Sequence, residues 1–238
     1  MRTRGKRYEV AAAKVDRERF YSPTEAMTLV KQTATVSYDP TINLAIRLGI
    51  DPRKADQMVR GSVALPNGIG KSVRVAVFAD GPKAAEATQA GADIVGPEEI
   101  IPMIEAGRLD FDAVVATPDQ MGKLGRYGKI LGPRGLMPNP KTGTVTMDVG
   151  KAVREIKAGK VDYRSDRQAN LHLILGKGSF EARKLVENYG AVIDELIRVR
   201  PAAAKGRYLR TIHVASSQGP SIRVDPTRTR DFWEEPAA

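Results

Sequence analysis

The sequence contains no cysteine and only two histidines, His172 and His213, among its 238 residues. The lack of cysteine excludes disulfide bonds, thiol catalysis and cysteine ligands for a metal. Two histidines are few for a histidine-based metal site or a catalytic triad, and we read both as sheet-face residues. Aromatic residues make up only 5% of the chain, so its cores must be built from aliphatic side chains. The composition therefore predicts no metal, no cofactor and no thiol chemistry.

Long apolar runs are also absent. No stretch of about 18 consecutive apolar residues occurs, so we predict no membrane span. The start, MRTRGKRYEV, is basic, but no apolar run follows it, so it does not resemble a secretory signal. The net charge of +10 instead predicts a polyanionic partner, most simply nucleic acid. An anionic membrane surface is the weaker alternative, since no amphipathic basic helix stands out. The lack of cysteine fits the reducing cytoplasm, where we predict the protein to be.

The two outer parts of the chain show the patterns of half-buried elements. Ser22 with Glu25 forms a capping box with proline at the first helical position, which predicts a helix beginning there. Residues 41–48 alternate between apolar and polar, which is typical of a half-buried strand. After residue 159 we predict strands at 161–164, 171–175, 209–214 and 222–224, and a long helix that Ser179 caps.

The middle of the chain has a different pattern. Nearly continuous apolar strands at 73–79, 94–96 and 111–116 alternate with helices at 82–90 and 97–106, and a further helix covers 150–158. This alternation predicts a mostly parallel sheet buried on both faces. We therefore predict one domain inserted into another. The linkers at 66–70 and 158–160 would allow hinge motion between the two.

Charge is divided unevenly between these parts. Residues 69–160 carry 13 Lys+Arg against 11 Asp+Glu, whereas the rest of the chain carries 25 against 17. The outer domain thus holds +8 of the net charge and is the better candidate for the main polyanion contact.

A glycine- and proline-rich stretch at 121–149 stands apart from both patterns. It contains six glycines, three prolines and five cations, with no acid between Gln120 and Met147. We interpret it as a shaped, cationic surface loop, and the alternative is a mobile basic loop without a partner. Its glycines Gly122, Gly125 and Gly128 do not form a G-x-G-x-x-G fingerprint, and we predict no helix following them. Its cations are Lys123, Arg126, Lys129, Arg134 and Lys141.

Other polyanion signals lie in the outer domain, and each is weak alone. The basic start includes Lys6 and Arg7, although a solvated chain end explains them equally well. Residues 163–168 combine Arg164 and Arg167 with a tyrosine ring, and the polar turn at 215–221 offers hydroxyls and exposed backbone for ribose and phosphate. Tyr38 offers a stacking surface.

Several motifs, in order along the chain, resemble those of the bacterial large-subunit ribosomal protein L-one family. The most specific runs from Leu131 to Val145, LGPRGLMPNPKTGTV. The others are LGIDPRK at 48–54, DQMVRG at 56–61, ATPD at 116–119, GKGSF at 176–180 and KGRYL at 205–209. The resemblance extends over almost the whole chain, from about residue 6 to residue 225.

The resemblance implies an α/β protein of two lobes. The first, at 1–68 and 160–238, is a discontinuous α+β split sandwich that binds large-subunit ribosomal RNA. The second, at 69–159, is an inserted Rossmann-like three-layer α/β lobe. The resemblance further implies a non-enzymatic protein, monomeric within the ribosome, on a mobile stalk near the tRNA exit site. It would assist movement and release of deacylated tRNA, and would repress translation through the leader of its own mRNA.

Family RNA contacts can be placed on matching positions. The resemblance puts an aromatic on Tyr38, a threonine on Thr41 and the arginine at a strand end on Arg164. Gln218 departs from the methionine or threonine usual there, which puts the packing on ribose in doubt. The family's polar turn, which ends in a Gly-Pro pair, falls on Ser216, Ser217, Gln218, Gly219 and Pro220. Together with Lys6, Arg7 and Arg167 these residues form the predicted rRNA-binding site, and Lys123, Arg126, Lys129 and Arg134 are the predicted tRNA-facing residues.

Two alternatives remain open from the residues. One is a Rossmann-like enzyme or binding protein for a phosphorylated small molecule, with Arg134 and Lys141 as its anion site. The other is a repressor bound only to messenger RNA outside the ribosome. The polar tail from Pro226 onward contains the lone Trp233 and is acidic near its end; we predict a poorly ordered end and assign it no role.

Overall fold

The computed structural model describes residues 5–54 and 56–229, which form two compact units. The first comprises the chain up to Gly70 and from Val161 onward, and the second comprises Lys71–Lys160. The helices are α1 Lys6–Ala12, α2 Pro23–Gln32, α3 Pro82–Gln89, α4 Pro97–Glu105, α5 Met121–Leu124, α6 Gly128–Leu131, α7 Val149–Lys157 and α8 Ala182–Arg198. The strands are β1 Thr41–Leu48, β2 Arg60–Ala64, β3 Val75–Phe78, β4 Ile94–Val95, β5 Ala113–Ala116, β6 Lys160–Arg164, β7 Asn170–Lys177, β8 Leu209–Ser216 and β9 Ser221–Val224.

A four-stranded antiparallel sheet, in the order β7-β1-β8-β9, organises the first unit. Strand β1 alternates as predicted, since Ile42, Leu44, Ile46 and Leu48 are all buried. These side chains share one core with residues of α2 and α8, while the intervening positions of β1 leave the other sheet face open to solvent. Strands β2 and β6 pair in a separate two-stranded sheet.

The start of α2 agrees with the predicted capping box. The Ser22 hydroxyl accepts a hydrogen bond from the Glu25 backbone N–H, and the Glu25 carboxylate accepts one from the Ser22 N–H. The prediction for Ser179 is wrong. Helix α8 begins after Glu181, and Ser179 instead donates its hydroxyl and its backbone N–H to the Asp39 carboxylate. A nearby acceptor thus takes the hydroxyl that we expected to cap the helix.

The second unit is a three-layer α/β structure around a parallel sheet in the order β4-β3-β5. Successive residues of β3 point to opposite faces, so Val75 and Val77 pack in one core with α7 residues such as Val153. Ala76 and Phe78 pack in a second core with residues of α4, α5 and α6. The predicted Rossmann-like layering is confirmed.

The cationic stretch is more ordered than a surface loop, and the prediction that no helix follows its glycines is wrong. It forms two short helices, α5 and α6, joined by a 3₁₀ turn. Leu124 and Leu131 are fully buried in the second unit, which anchors both helices. The glycines lower helix propensity, but burial of these leucines, seven residues apart, outweighs that cost.

The two chain ends also differ from expectation. The basic start continues into helix α1, whose Ala11 is buried. Pro226 is buried and Thr227 bonds the Asp225 carboxylate, so the chain is ordered through Thr229. The rest of the predicted poorly ordered tail, at 230–238, lies outside the described residues, as do Arg2 and Arg4. Within residues 5–54 and 56–229, no helix combines the length and hydropathy that a membrane span requires.

Candidate nucleic-acid interface

Five predicted residues come together where β1 begins and β8 ends. The Ser217 backbone N–H donates to the Thr41 carbonyl at 3.0 Å, and the Ser217 hydroxyl reaches the same oxygen at 3.3 Å. The Lys177 ammonium donates to the Thr41 hydroxyl at 3.0 Å. We call this cluster of Thr41, Lys177, Ser217, Gln218 and Gly219, with the neighbouring Tyr38, the Thr41 end. It presents a cation, hydroxyls, an amide and an aromatic ring on one surface.

The turn between β8 and β9 has a constrained backbone. The Gly219 N–H donates to the Ser216 carbonyl at 2.9 Å, and Gln218 adopts a left-handed φ of 62°. A Cβ at Gly219 would lie 2.2 Å from the Ser216 hydroxyl oxygen, so a larger residue there would require that hydroxyl to rotate away. Ser216 and Pro220 are buried, whereas Ser217, Gln218 and Gly219 reach the surface. The departure at Gln218 therefore places an exposed amide at the tip of the turn.

Tyr38 lies on a loop that is tied to the start of α8. The Asp39 carboxylate accepts two hydrogen bonds from Ser179, which hold the pKa of Asp39 below its ordinary value. The Gly178 N–H donates to the Pro40 carbonyl at 2.8 Å. These contacts leave the Tyr38 side chain 53% exposed on a fixed backbone. An exposed ring held in this way is suited to stacking on a base.

Arg164 and Arg167 do not join the Thr41 end. Their turn lies beside the opposite end of β1, where the Leu48 N–H donates to the Ala169 carbonyl at 2.9 Å. The seven residue steps from Thr41 to Leu48 separate the two ends by about 23 Å. The Asp166 carboxylate accepts hydrogen bonds from the backbone N–H groups of Gln168 and Asn170, and the Asn170 bond is the main cause of its lowered pKa.

More cations lie near the Leu48 end of β1 than we predicted from the sequence. The Gly49 N–H donates to the Tyr208 carbonyl at 2.6 Å, which brings the segments around Gly49 and Tyr208 together. No salt bridge to a described residue involves any of the exposed arginines there. A cavity of about 560 Å³ beside two of them is lined by Pro52, Met58, Arg164, Ser165, Asp166 and Arg167. We call this surface, formed by Arg47, Arg53, Arg164, Arg167, Arg207 and Arg210, the arginine-rich end.

Sequence reasoning missed Arg47, Arg53, Arg207 and Arg210. Arg47 occupies an outward position of the alternating strand, which is a weak signal because such positions are often simply solvated. Arg53 and Arg207 lie in connections and Arg210 lies at the start of β8, and only the antiparallel register brings them together. Their grouping is therefore a property of the fold.

The remaining predicted cations lie elsewhere. Lys6 and Arg7 are exposed in the first turn of α1. In the second unit, Lys123, Arg126, Lys129 and Arg134 are all exposed, and Lys123 lies 3.7 Å from Asp80. The short helices thus turn their leucines inward and their cations outward.

The two histidines occupy the sheet as expected. His172 is exposed, while His213 is half-buried opposite Arg223 of β9. Burial, followed by the nearby Arg223 charge, lowers the pKa of His213 below its ordinary value. The described residues contain no group of three or more histidine and carboxylate side chains arranged to hold a metal ion.

The chain folds into two α/β units. In the first unit, hydroxyls and a lysine lie at one end of β1 and exposed arginines lie at the other. These surfaces are typical of a binding protein. Residues 30–220 match the model of the Ribosomal protein L1p/L10e family. The chain is 61% identical, over 98% of both chains, to a large ribosomal subunit protein uL1 of Frankia alni. It is 60% identical to the uL1 proteins of Mycolicibacterium gilvum, over 100% and 99% of the two chains, and of Nocardia farcinica, over the whole of both.

The chain therefore belongs to the Ribosomal protein L1p/L10e family. The predicted resemblance is confirmed. Its members are structural proteins, so the enzyme alternative is wrong.

Proposed function

We propose that this chain is a structural component of the large ribosomal subunit and binds large-subunit rRNA through its first unit. The observation that carries the proposal is the Thr41 end, where an exposed ring, hydroxyls and a lysine meet on fixed backbone. Single-stranded and bulged RNA is recognised by stacking, 2′-hydroxyl contacts and phosphate neutralisation, and this surface offers a group for each.

The Ser217 hydroxyl has a defined direction in this proposal. It donates its proton to the Thr41 carbonyl, so its lone pairs remain to accept a hydrogen bond from a ribose 2′-hydroxyl. The arginine-rich end then neutralises phosphates of the same folded RNA about 23 Å away along β1. The rRNA-binding surface thus comprises both ends of the strand, with Lys6 and Arg7 as further phosphate contacts.

Hydroxyl-radical footprinting on large-subunit rRNA tests this assignment directly. We expect a protected rRNA segment, and an affinity about fivefold lower for Ser217→Ala, because one hydrogen bond contributes about 1 kcal/mol. We expect a decrease of about tenfold for Arg164→Ala through loss of one phosphate contact.

Thr88→Ala in the second unit is the matched control, because that exposed hydroxyl also donates to a backbone carbonyl. If Ser217→Ala and Arg164→Ala both bound like the control, the site assignment would be wrong.

Tyr38 provides a second test. We expect Tyr38→Ala to weaken rRNA binding by about 1–3 kcal/mol, the range for loss of one base–aromatic stack. Tyr38→Phe is the control, because it keeps the ring and should bind nearly as well as the unchanged chain. The side chain is 53% exposed, so both variants should fold normally. Equal binding by the two variants, measured by filter binding, would contradict a stacking role.

We further propose two roles that follow from RNA binding. The exposed cations Lys123, Arg126, Lys129 and Arg134 of the second unit face the exit-site tRNA and assist its movement and release. The same rRNA-binding surface recognises a similar fold in the leader of the chain's own mRNA and represses its translation. Competition between an rRNA fragment and that leader for one protein would support the second role, and simultaneous binding would contradict it.

A further inference from the structure

A groove in the first unit lies next to the last described residue and shares only Arg207 with the two proposed RNA surfaces. Its cavity measures about 350 Å³, and both Pro226 and Thr229 line it. Its apolar wall includes Ile197, an unusually exposed aliphatic side chain at 41%. The remaining lining residues are Arg200, Arg207, Tyr208, Leu209 and Thr227.

The polar groups of the groove are fixed and incompletely satisfied. The Arg200 guanidinium donates to the carbonyls of Ala204 and Gly206 and lies 5.6 Å from the centroid of the Tyr208 ring. Neither Arg200 nor Arg207 forms a salt bridge to a described residue. The Tyr208 side chain is 6% exposed, and its hydroxyl has no hydrogen-bond partner among the described residues. Arg207 donates to the Leu209 carbonyl and lies close enough to Asp225 for their charges to interact. The groove therefore presents the Arg200 cation and a buried donor beside an apolar wall.

The chain itself contains a segment of complementary chemistry. Residues 230–238 read RDFWEEPAA, so an adjacent Phe232 and Trp233 are flanked by Asp231 on one side and by Glu234 and Glu235 on the other. Thr229 already lines the groove. Four residues in extended conformation reach about 13 Å, which is long enough for a side chain at position 233 to contact a groove that begins at Thr229.

We propose that residues 230–238 bind this groove in the same molecule, with Trp233 against Ile197 and Leu209 and the glutamates beside Arg200. Burial of an aromatic side chain against an exposed isoleucine removes apolar surface from water. Carboxylates close to the Arg200 guanidinium form charge-assisted hydrogen bonds, and a short tether makes the association intramolecular. The segment thus pairs with a cation that belongs to neither proposed RNA surface. This proposal is independent of which RNA the chain binds.

Trp233 is the only tryptophan of the chain, so its fluorescence reports on this segment alone. In the full-length protein we expect emission shifted to shorter wavelength than in the urea-unfolded chain, and a several-fold lower quenching constant for acrylamide. Ile197→Asp should abolish both differences, because it places a carboxylate in the apolar wall and opposite the acidic segment. Replacing Glu234 and Glu235 with glutamine should weaken the protection without touching the folded unit.

Ile130→Asp is the matched control, because Ile130 is 39% exposed but belongs to the second unit. Circular dichroism would establish that each variant keeps its fold. If Trp233 in the unchanged protein were as accessible to acrylamide as in urea, the proposal would be wrong. It would also be wrong if Ile197→Asp left the emission unchanged, because the segment would then be shielded somewhere other than this groove.

Discussion

Replacing Arg53, Arg164 and Arg167 together with glutamine is expected to weaken rRNA binding by roughly 10²–10³-fold near 0.1 M salt. The three side chains are exposed at the arginine-rich end, and none forms a salt bridge to a described residue. Each is therefore free to neutralise a phosphate and to release a counterion, which contributes about tenfold in affinity at this ionic strength. Glutamine keeps much of the side-chain length but removes the charge.

The salt dependence separates this explanation from a general loss of structure. Neutralisation of about five phosphates by the unchanged chain predicts a log–log slope of roughly −4 for the binding constant against salt. The triple variant should reduce the magnitude of that slope by about 1 for each arginine removed.

A control with the same loss of charge is Lys14→Gln, Arg17→Gln and Lys184→Gln, which changes exposed cations of the same unit outside the two proposed surfaces. Filter binding across a salt series would measure both variants. Equal affinities and equal slopes would show that net charge alone, rather than the arginine-rich end, determines binding.

The distance between the two ends of β1 predicts how variants at both ends combine in their effect on rRNA binding. Changes more than about 10 Å apart that share no partner usually add in free energy. Because the Thr41 end and the arginine-rich end are about 23 Å apart, the losses from Ser217→Ala and from the triple variant should be additive. One RNA that contacts both ends gives this result, whereas two RNAs at separate sites would leave each loss confined to its own ligand.

Local sequence rules were sufficient for the elements that position these surfaces. The capping box at Ser22 and the alternation along residues 41–48 depend only on near neighbours, and both appear in the structure. The apolar strands of the middle block could also be predicted, because a sheet covered on both faces needs no polar side. Most of the strand content and the three-layer order of the second unit follow from such local patterns.

The grouping of the site residues could not be predicted from the sequence, because it depends on pairing between strands that are distant in the chain. Arg164 and Thr41 were grouped in one site because both resemble RNA contacts, yet antiparallel pairing of β1 with β7 places them near opposite ends of the sheet. Antiparallel pairing of β1 with β8 joins the segments around Gly49 and Tyr208, and so creates a cluster of arginines distant in sequence. Ser179 failed as a cap for a similar reason, because its partner Asp39 lies 140 positions away.

The last prediction concerns Gly49, where the segments around Gly49 and Tyr208 meet. Gly49→Ala is expected to destabilise the protein by about 3 kcal/mol, at the upper part of the usual range for overpacking. A Cβ at Gly49 would lie 2.1 Å from the Arg207 carbonyl oxygen, which is backbone and cannot rotate away. The Gly49 N–H also donates to the neighbouring Tyr208 carbonyl, so any shift that relieves the clash weakens this bond.

Thermal unfolding followed by circular dichroism would measure the effect. A loss of about 3 kcal/mol corresponds to a fall in Tm on the order of 6–12 °C for a unit of this size. Gly5→Ala is the control in the same unit, because a Cβ there meets no atom within 4 Å. Since relief of the clash moves Arg207 relative to Arg47, Gly49→Ala should also lower rRNA affinity at temperatures where the variant remains folded. An unchanged Tm would show that the two segments separate without cost, and that the arginine-rich end is not held together at Gly49.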